Sequence, residues 1–267
     1  MADPPAPCVT AAELPRPPDL AIHFLGPTQV HRGGTLLAPW PNRRVKSLFK
    51  YLVMHRGRPA PKELLMDRFW PEARADAARN SLNVAVHGLR RFLRAGDDGV
   101  NHVLFNEDCY ALNPMVSLWV DVEEFERKVS AGCRGDHGIA VADALQEAAA
   151  LYRGPLFEDE PYEEWSAGSR RRLQEAYVDV LERLCNHHLA AGDHAACADA
   201  GRKILALEPA HEKAHAALMR CFARQGRYSR AHRQYQDCVG ELRAGLNLPP
   251  SELTNQLFAR IRAREPV

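Results

Sequence analysis

The sequence has no pair of cysteines at CxxC spacing; its seven stand at positions 8, 109, 133, 185, 197, 221 and 238. That pattern argues against a zinc ribbon or a disulfide framework. With no charged leader and apolar h-region ahead of them, the thiols read as reduced, in a cytoplasmic protein. No apolar run approaches the ~18 residues that a membrane span needs, so no membrane partner is expected. There is no GxxxxGK[ST] loop, no GxGxxG after a strand and no GxSxG elbow, which leaves phosphate binding and acyl transfer without support. Large apolar side chains are nearly missing from residues 1–19, which hold six prolines. Such a stretch cannot offset the entropy of ordering, and it reads as a disordered arm.

What is present describes a globular chain of 267 residues, 46% hydrophobic and 26% charged, long enough for two domains. The formal net charge of +1 conceals an asymmetry. Between Arg43 and Ala95 there are thirteen Lys and Arg against four Asp and Glu, or +9, so the remainder sums to −8. One region is therefore suited to a polyanion and the other is not.

From Leu20 the pieces LAIHFLG, TQVH and TLLA, with a Gly33-Gly34 turn, predict a small antiparallel sheet. Arg43 to His55 predicts a helix with Val45, Leu48 and Leu52 on one face and Arg43, Lys46 and Lys50 on another. Those three cations are equally consistent with phosphate contact and with a solvated face. Pro61 suits the first turn of a second helix, KELLMDRFW, ending before Pro71. The stretch from Ala75 to Ala95 is the third helix and the one that the first hundred residues are arranged to present. At 100° per residue Ala75, Ala78, Leu82, Val86, Leu89 and Leu93 share one arc, and Asn80, Asn83, His87, Arg91 and Arg94 the opposite one. Gly96 punctuates its end. A hairpin follows, with strands at 102–106 and 109–112 around a turn at Glu107-Asp108.

The polar arc suits a DNA major groove, because Arg and Asn make bidentate contacts to guanine and adenine and a small aliphatic group such as Val84 can meet a thymine methyl. Residues early on such a helix meet bases and later ones more often meet phosphates. Asn80, Asn83, Val84 and His87 are therefore the candidates for base edges, Arg91 for guanine, and Arg79, Arg90 and Arg94 for the backbone.

After Pro114 the composition turns to Ala, Leu and Glu at helical spacing. LWVDV is strand-like, EEFERKVSAG and IAVADALQEAAALYR predict helices around a Gly-containing break, and Glu158, Asp159, Glu160, Glu163 and Glu164 lie in an acidic loop. That loop is expected to be solvated, or else to touch a basic partner such as a polymerase subunit. Gly192-Asp193 and Gly226-Arg227 are 34 residues apart, each between helical stretches, which is the period of tetratricopeptide helix pairs. The fold class expected is mainly α: an N-terminal winged helix-turn-helix (α+β) over residues 20–114, then an all-α tetratricopeptide-like repeat domain over residues 115–267.

Two metal constellations compete with ordinary packing. His211-Glu212-Lys213-Ala214-His215 is an HExxH sequence, the spacing of a zinc protease helix, but it opens a repeat helix after Pro209 and has no third ligand nearby. Cys185, His187, His188, His194 and Cys197 cluster near the Gly192 turn without the tight spacing of a structural zinc site. Packing explains both more simply; no metal, cofactor or enzymatic activity is expected. The tryptophans are taken as core or seam residues.

FLGPTQV, LFKYLVMHRG, ELLMDRFWP, ARNSLNVAVHGLRRFL and the YAL of the hairpin together resemble the response-regulator type of winged helix found in Streptomyces antibiotic regulatory proteins. The chain departs from that family at Cys109, where Gly usually precedes the hairpin Tyr. The stretch from Leu207 to Leu253, within a match running from Asp121 to Ile261, resembles the bacterial transcriptional activator domain that follows the winged helix in that family. The resemblance implies that the third helix enters the major groove and that the wing, with Asn106, reaches the adjacent minor groove. It also implies a dimer on direct repeats in promoters, recruitment of RNA polymerase holoenzyme, and targets often in secondary metabolism. A rival from another class is a helical-repeat adaptor for protein or peptide, its winged helix purely structural.

Overall fold

A computed structural model describes residues 18–94, 100–134 and 139–267. The proline-rich arm, apart from Pro18 and Asp19, lies outside the described residues, as do Gly96 and the break at residues 135–138.

The chain divides into two compact units: residues 1–23 with 29–120, and residues 24–28 with 121–267. In the first, strands β1 (Leu20–His23), β2 (Gln29–Arg32) and β3 (Thr35–Leu36) form an antiparallel meander. It is completed by β7 (Leu118–Val120), which pairs parallel to β1 with Ile22 opposite Val120. The sheet thus draws in residues beyond Pro114, and the winged-helix unit ends at Val120. Alternation along β1 buries Leu20 and Ile22, as its period of two requires.

Helices α1 (Arg43–Met54), α2 (Lys62–Phe69) and α3 (Ala75–Leu93) follow. Asn42 caps α1, its side-chain oxygen accepting from Val45 N at 2.9 Å. Strands β4 (Ala60–Pro61), β5 (Val103–Asn106) and β6 (Cys109–Leu112) make the wing sheet, in the order β4-β6-β5. The two-residue turn between β5 and β6 puts Glu107 at φ 47° and Asp108 at φ 60°, a primed hairpin turn built without the glycine that such turns favour. Lys62 holds it from outside, its ammonium 2.6 Å from Asp108 Oδ1 and its backbone N–H donating to Asp108 O.

The second unit is a sequential stack of α4 (Asp121–Arg134), α5 (Ile139–Leu151), α6 (Ala167–Ala191), α7 (His194–Leu207), α8 (Glu212–Arg224), α9 (Tyr228–Leu246) and α10 (Glu252–Arg262). Each helix packs on the next, the arrangement of a repeat protein in which neighbours bury one another's apolar faces. The two glycines of the 34-residue period sit where they were expected, in the α6–α7 and α8–α9 turns, at φ 78° and 72°. At the other end α4 and α5 approach so closely that a Cβ on Gly132 would stand 2.6 Å from Leu145 Cδ2.

Residues Phe24–Thr28 belong to this second unit. The carboxylate of Asp121, 0% exposed, accepts from Phe24 N at 2.8 and 2.9 Å and from Leu25 N at 3.0 Å. Burial pushes its pKa up to about 6, against the pull of those N–H groups and of Arg153. The acidic loop is exposed at Glu158, Asp159 and Glu164, as a solvated loop would be, and it is also tied into the same unit. Asp159 accepts from Thr28 N and Oγ1, Glu160 is 3% exposed, and Arg170 donates to the carbonyls of Leu156 and Glu160.

Candidate nucleic-acid interface

The phase of α3 fixes the site. Ala78, Leu82, Val86, Leu89 and Leu93 are buried as their arc requires, joined by Ala85 and Phe92. Ala75 is the exception: it is exposed, because it opens the helix ahead of the first turn that packs. On the other side Arg79, Asn80, Asn83, His87, Arg91 and Arg94 are all exposed, and Val84 keeps 68% of its surface in solvent. Val84 is thus the one large apolar side chain on this polar face, and it also lines the recesses beside α3. Arg90 and Arg91 also sit in the last turn of α3, where cations are favoured by the helix dipole.

Arg90 is half-buried, and two of its N–H groups are spent inside the protein. Nε and Nη2 both donate to Val103 O, at 3.0 and 2.8 Å, fastening β5 to α3. Tyr110 on β6 makes a second tie, its hydroxyl donating to Asn83 Oδ1 at 3.3 Å. Burial pushes the Tyr110 phenol up, against the pull of Arg90 and Lys62, so it stays a protonated donor at neutral pH. Asn106 is exposed at the end of β5, beside the wing turn.

On α1 the expected row of cations breaks. Arg43 is exposed and Lys46 half-exposed, its ammonium 6.0 Å from the Trp40 ring centroid, but Lys50 is 0% exposed. A helix with one solvent face would have kept all three together. From Ser47 to Val53, however, α1 is buried on every side, enclosed by α2, α3 and β6, so Lys50 is a core residue and not a phosphate contact.

Two residues that periodicity did not single out join the site. Asn42 and Arg44, with Arg43 and Trp70, share a recess of about 490 Å³ with Asn80, Ser81 and Val84 of α3. The N-terminus of α1, with its two arginines, is therefore beside the first turns of α3, and a helix N-terminus is a favourable place for an anion. Only the tertiary crossing of α1 and α3 brings them together. A second basic cleft is lined by His87, Arg90, Arg91, Arg94 and Asn101.

The HExxH pair is committed to the fold. His211 caps α8 through Nδ1 and has Nε2 2.8 Å from Glu182, while His215 is 2% exposed with its ring nitrogens engaged by Pro209 O and the Gln234 amide. Cys185 and Cys197 are buried with their sulfurs 3.1 Å apart, whereas His187 is exposed. These side chains do not converge on one point.

A winged helix presenting a basic, amide-bearing face, followed by a helical repeat unit, defines a class of bacterial transcription regulator, and comparisons with known proteins agree. Residues 120–262 match the bacterial transcriptional activator domain, and residues 42–104 match the transcriptional regulatory protein, C-terminal family. The first match spans more than half of the chain, which belongs to the bacterial transcriptional activator domain family, as a transcriptional activator of the Streptomyces antibiotic regulatory protein type. Among relatives, Regulatory protein DnrI of Streptomyces peucetius is 28% identical over 262 residues, covering 92% of this chain and 93% of that protein. Regulatory protein AfsR of Streptomyces coelicolor is 26% identical over 251 residues; the match takes in 92% of this chain but 24% of that protein. A solved structure of Mycobacterium tuberculosis EmbR, in complex with a low affinity phosphopeptide, matches with a TM-score of 0.74 at 22% identity, over 94% of this chain and 67% of that one. It shows the same mostly helical architecture. Among the described residues no helix is long and apolar enough to cross a membrane.

Proposed function

We propose that the chain is a sequence-specific DNA-binding activator that occupies direct repeats in promoters as a dimer and recruits RNA polymerase holoenzyme, in the bacterial cytoplasm at the nucleoid. Genes of secondary metabolism are the proposed targets, by analogy with the family. The observation that carries this is the exposed row on α3, whose amides and cations stand opposite an apolar row that is buried from Ala78 to Leu93. In this account Asn80, Asn83, Val84 and His87 meet base edges, Arg91 meets guanine, and Arg43, Lys46, Arg79 and Arg94 meet phosphates. Arg90 adds to phosphate contact only with the N–H groups that Val103 leaves free, and Asn106 lies at the minor groove.

Site selection from random duplexes, followed by gel shifts over a range of salt, tests this. Asn83→Ala should relax preference at one base pair by about 1–3 kcal/mol, whereas Arg94→Ala should weaken all sequences alike and lower the salt slope by about 1. Two copies on direct repeats should need half-sites about 10–10.5 bp apart, and half a turn of inserted DNA should abolish cooperative binding. If the folded chain selects no sequence, the winged helix is structural and the repeat unit becomes the working surface of a protein-binding adaptor.

A further inference from the structure

Tyr110 sits on the middle strand of the wing sheet, opposite Ala60 on one side and Phe105 on the other. Its ring packs on that of Phe105, with centroids 4.6 Å apart, and it is 6% exposed. Arg90 ties the neighbouring strand to α3 through Val103 O. The phenol is thus carried on a rigid support, and its hydroxyl reaches an exposed asparagine on the face proposed to read DNA.

An asparagine on an open helix face has two amide orientations related by a half-turn about Cβ–Cγ, which exchange its acceptor and its donors. With Oδ1 accepting the phenol proton, the oxygen is held toward the wing and Nδ2 faces away from it. What remains free is both N–H groups and one lone pair of Oδ1. Adenine offers an N7 acceptor beside an N6 donor in the major groove, which one N–H and that lone pair match; guanine offers two acceptors.

We propose that Tyr110 is a positioning residue for DNA reading: by orienting the Asn83 amide, the wing sets a preference for adenine at the base pair that Asn83 meets. Specificity at that position then belongs to α3 and β6 jointly. At 3.3 Å the bond is longer than an ordinary O–H···O, and the energy that orients the amide is at most that of one net hydrogen bond.

This rests on the DNA-reading proposal above, and the experiment separates the two. The full chain, Tyr110→Phe, Asn83→Ala and the double variant are each carried through site selection and salt titration. Tyr110→Phe keeps the ring and its packing but removes the donor. It should lower discrimination for adenine at one position by about three- to tenfold, the scale of one net hydrogen bond, with other positions and the salt slope unchanged. In the Asn83→Ala background the same substitution should do nothing further. In the free chain the Asn83 side-chain amide resonances should shift in Tyr110→Phe, a measurement that needs no DNA. Unchanged selection by Tyr110→Phe, or an equal effect of that substitution with and without Asn83, overturns the positioning role while leaving DNA reading intact. A wild-type chain that selects no sequence overturns both.

Discussion

Replacing Asp121 with alanine strikes the point where Phe24 and Leu25 are held in the second unit. The wild-type carboxylate satisfies two backbone N–H groups of residues that are themselves 0% exposed. Leaving both without a partner costs about 1–3 kcal/mol each. Against this, alanine removes a charge that the fold tolerates poorly, since burial raises the carboxyl from its ordinary 3.8 to about 6. A difference of that size corresponds to about 3 kcal/mol between charged and neutral forms. The folded wild type therefore holds a proton that the unfolded chain has released between those two pKa values. Its contribution is fully present below the unfolded pKa and is lost as pH rises through the folded one. Alanine has no proton to hold, and other titrating groups cancel in the comparison. The stability gap between wild type and Asp121→Ala should widen by about 2–3 kcal/mol from neutral pH down to about pH 4. Urea unfolding of both proteins, followed by far-UV circular dichroism at several pH values, measures it. A gap that stays constant or narrows as pH falls would refute the account of a buried, proton-retaining clip.

Glu107→Gly removes a side chain from a left-handed position, where an L residue loses roughly 1–2 kcal/mol, and adds the greater unfolded-state freedom of glycine. The net gain should be about 0.5–1 kcal/mol, seen as a higher urea midpoint, and a lower one would mean that Glu107 is not strained. Leu89→Asp places a charge without a partner at a site that is 0% exposed; it should cost about 4 kcal/mol or more and abolish the cooperative thermal transition of the winged helix. A variant that melts like the wild type would put the α3 core row in error.

The phase of α3 was legible in the sequence because the helix rests on the rest of its unit by one side only, so a single angular rule sorts Leu82 and Leu89 from Asn83 and Arg91. The repeat turns were legible because Gly192 and Gly226 take left-handed backbone that few other residues accept. The same angular rule failed at Lys50, where α1 has no open side and burial no longer follows helix phase. Phe24–Thr28 was unreadable for a different reason: the groups that fix it, on Asp121 and Asp159, lie 97 and 131 residues away. The acidic loop is solvated at Glu158, Asp159 and Glu164, as expected, but the acceptance of a hydrogen bond from Thr28 by Asp159 leaves no trace in local charge. Asn42 and Arg44 enter the candidate interface only through the crossing of two helices that no periodicity within either one records.

Phe24–Thr28 also decides how this chain can be cut and recombined. The segment lies between β1 and β2 in sequence, yet its backbone supplies the N–H donors for Asp121 and its Phe24 ring packs edge-on to Phe157. The second unit is therefore not one contiguous stretch of gene. A fragment opening at Asp121 loses the Phe24 and Leu25 N–H donors to its carboxylate and the Phe24 ring against Phe157, while a fragment closing at Val120 leaves five residues of its own sheet connection without their packing. Any exchange of winged-helix units between relatives has to take account of residues 24–28, which belong with the helical repeats although the strands on either side of them do not.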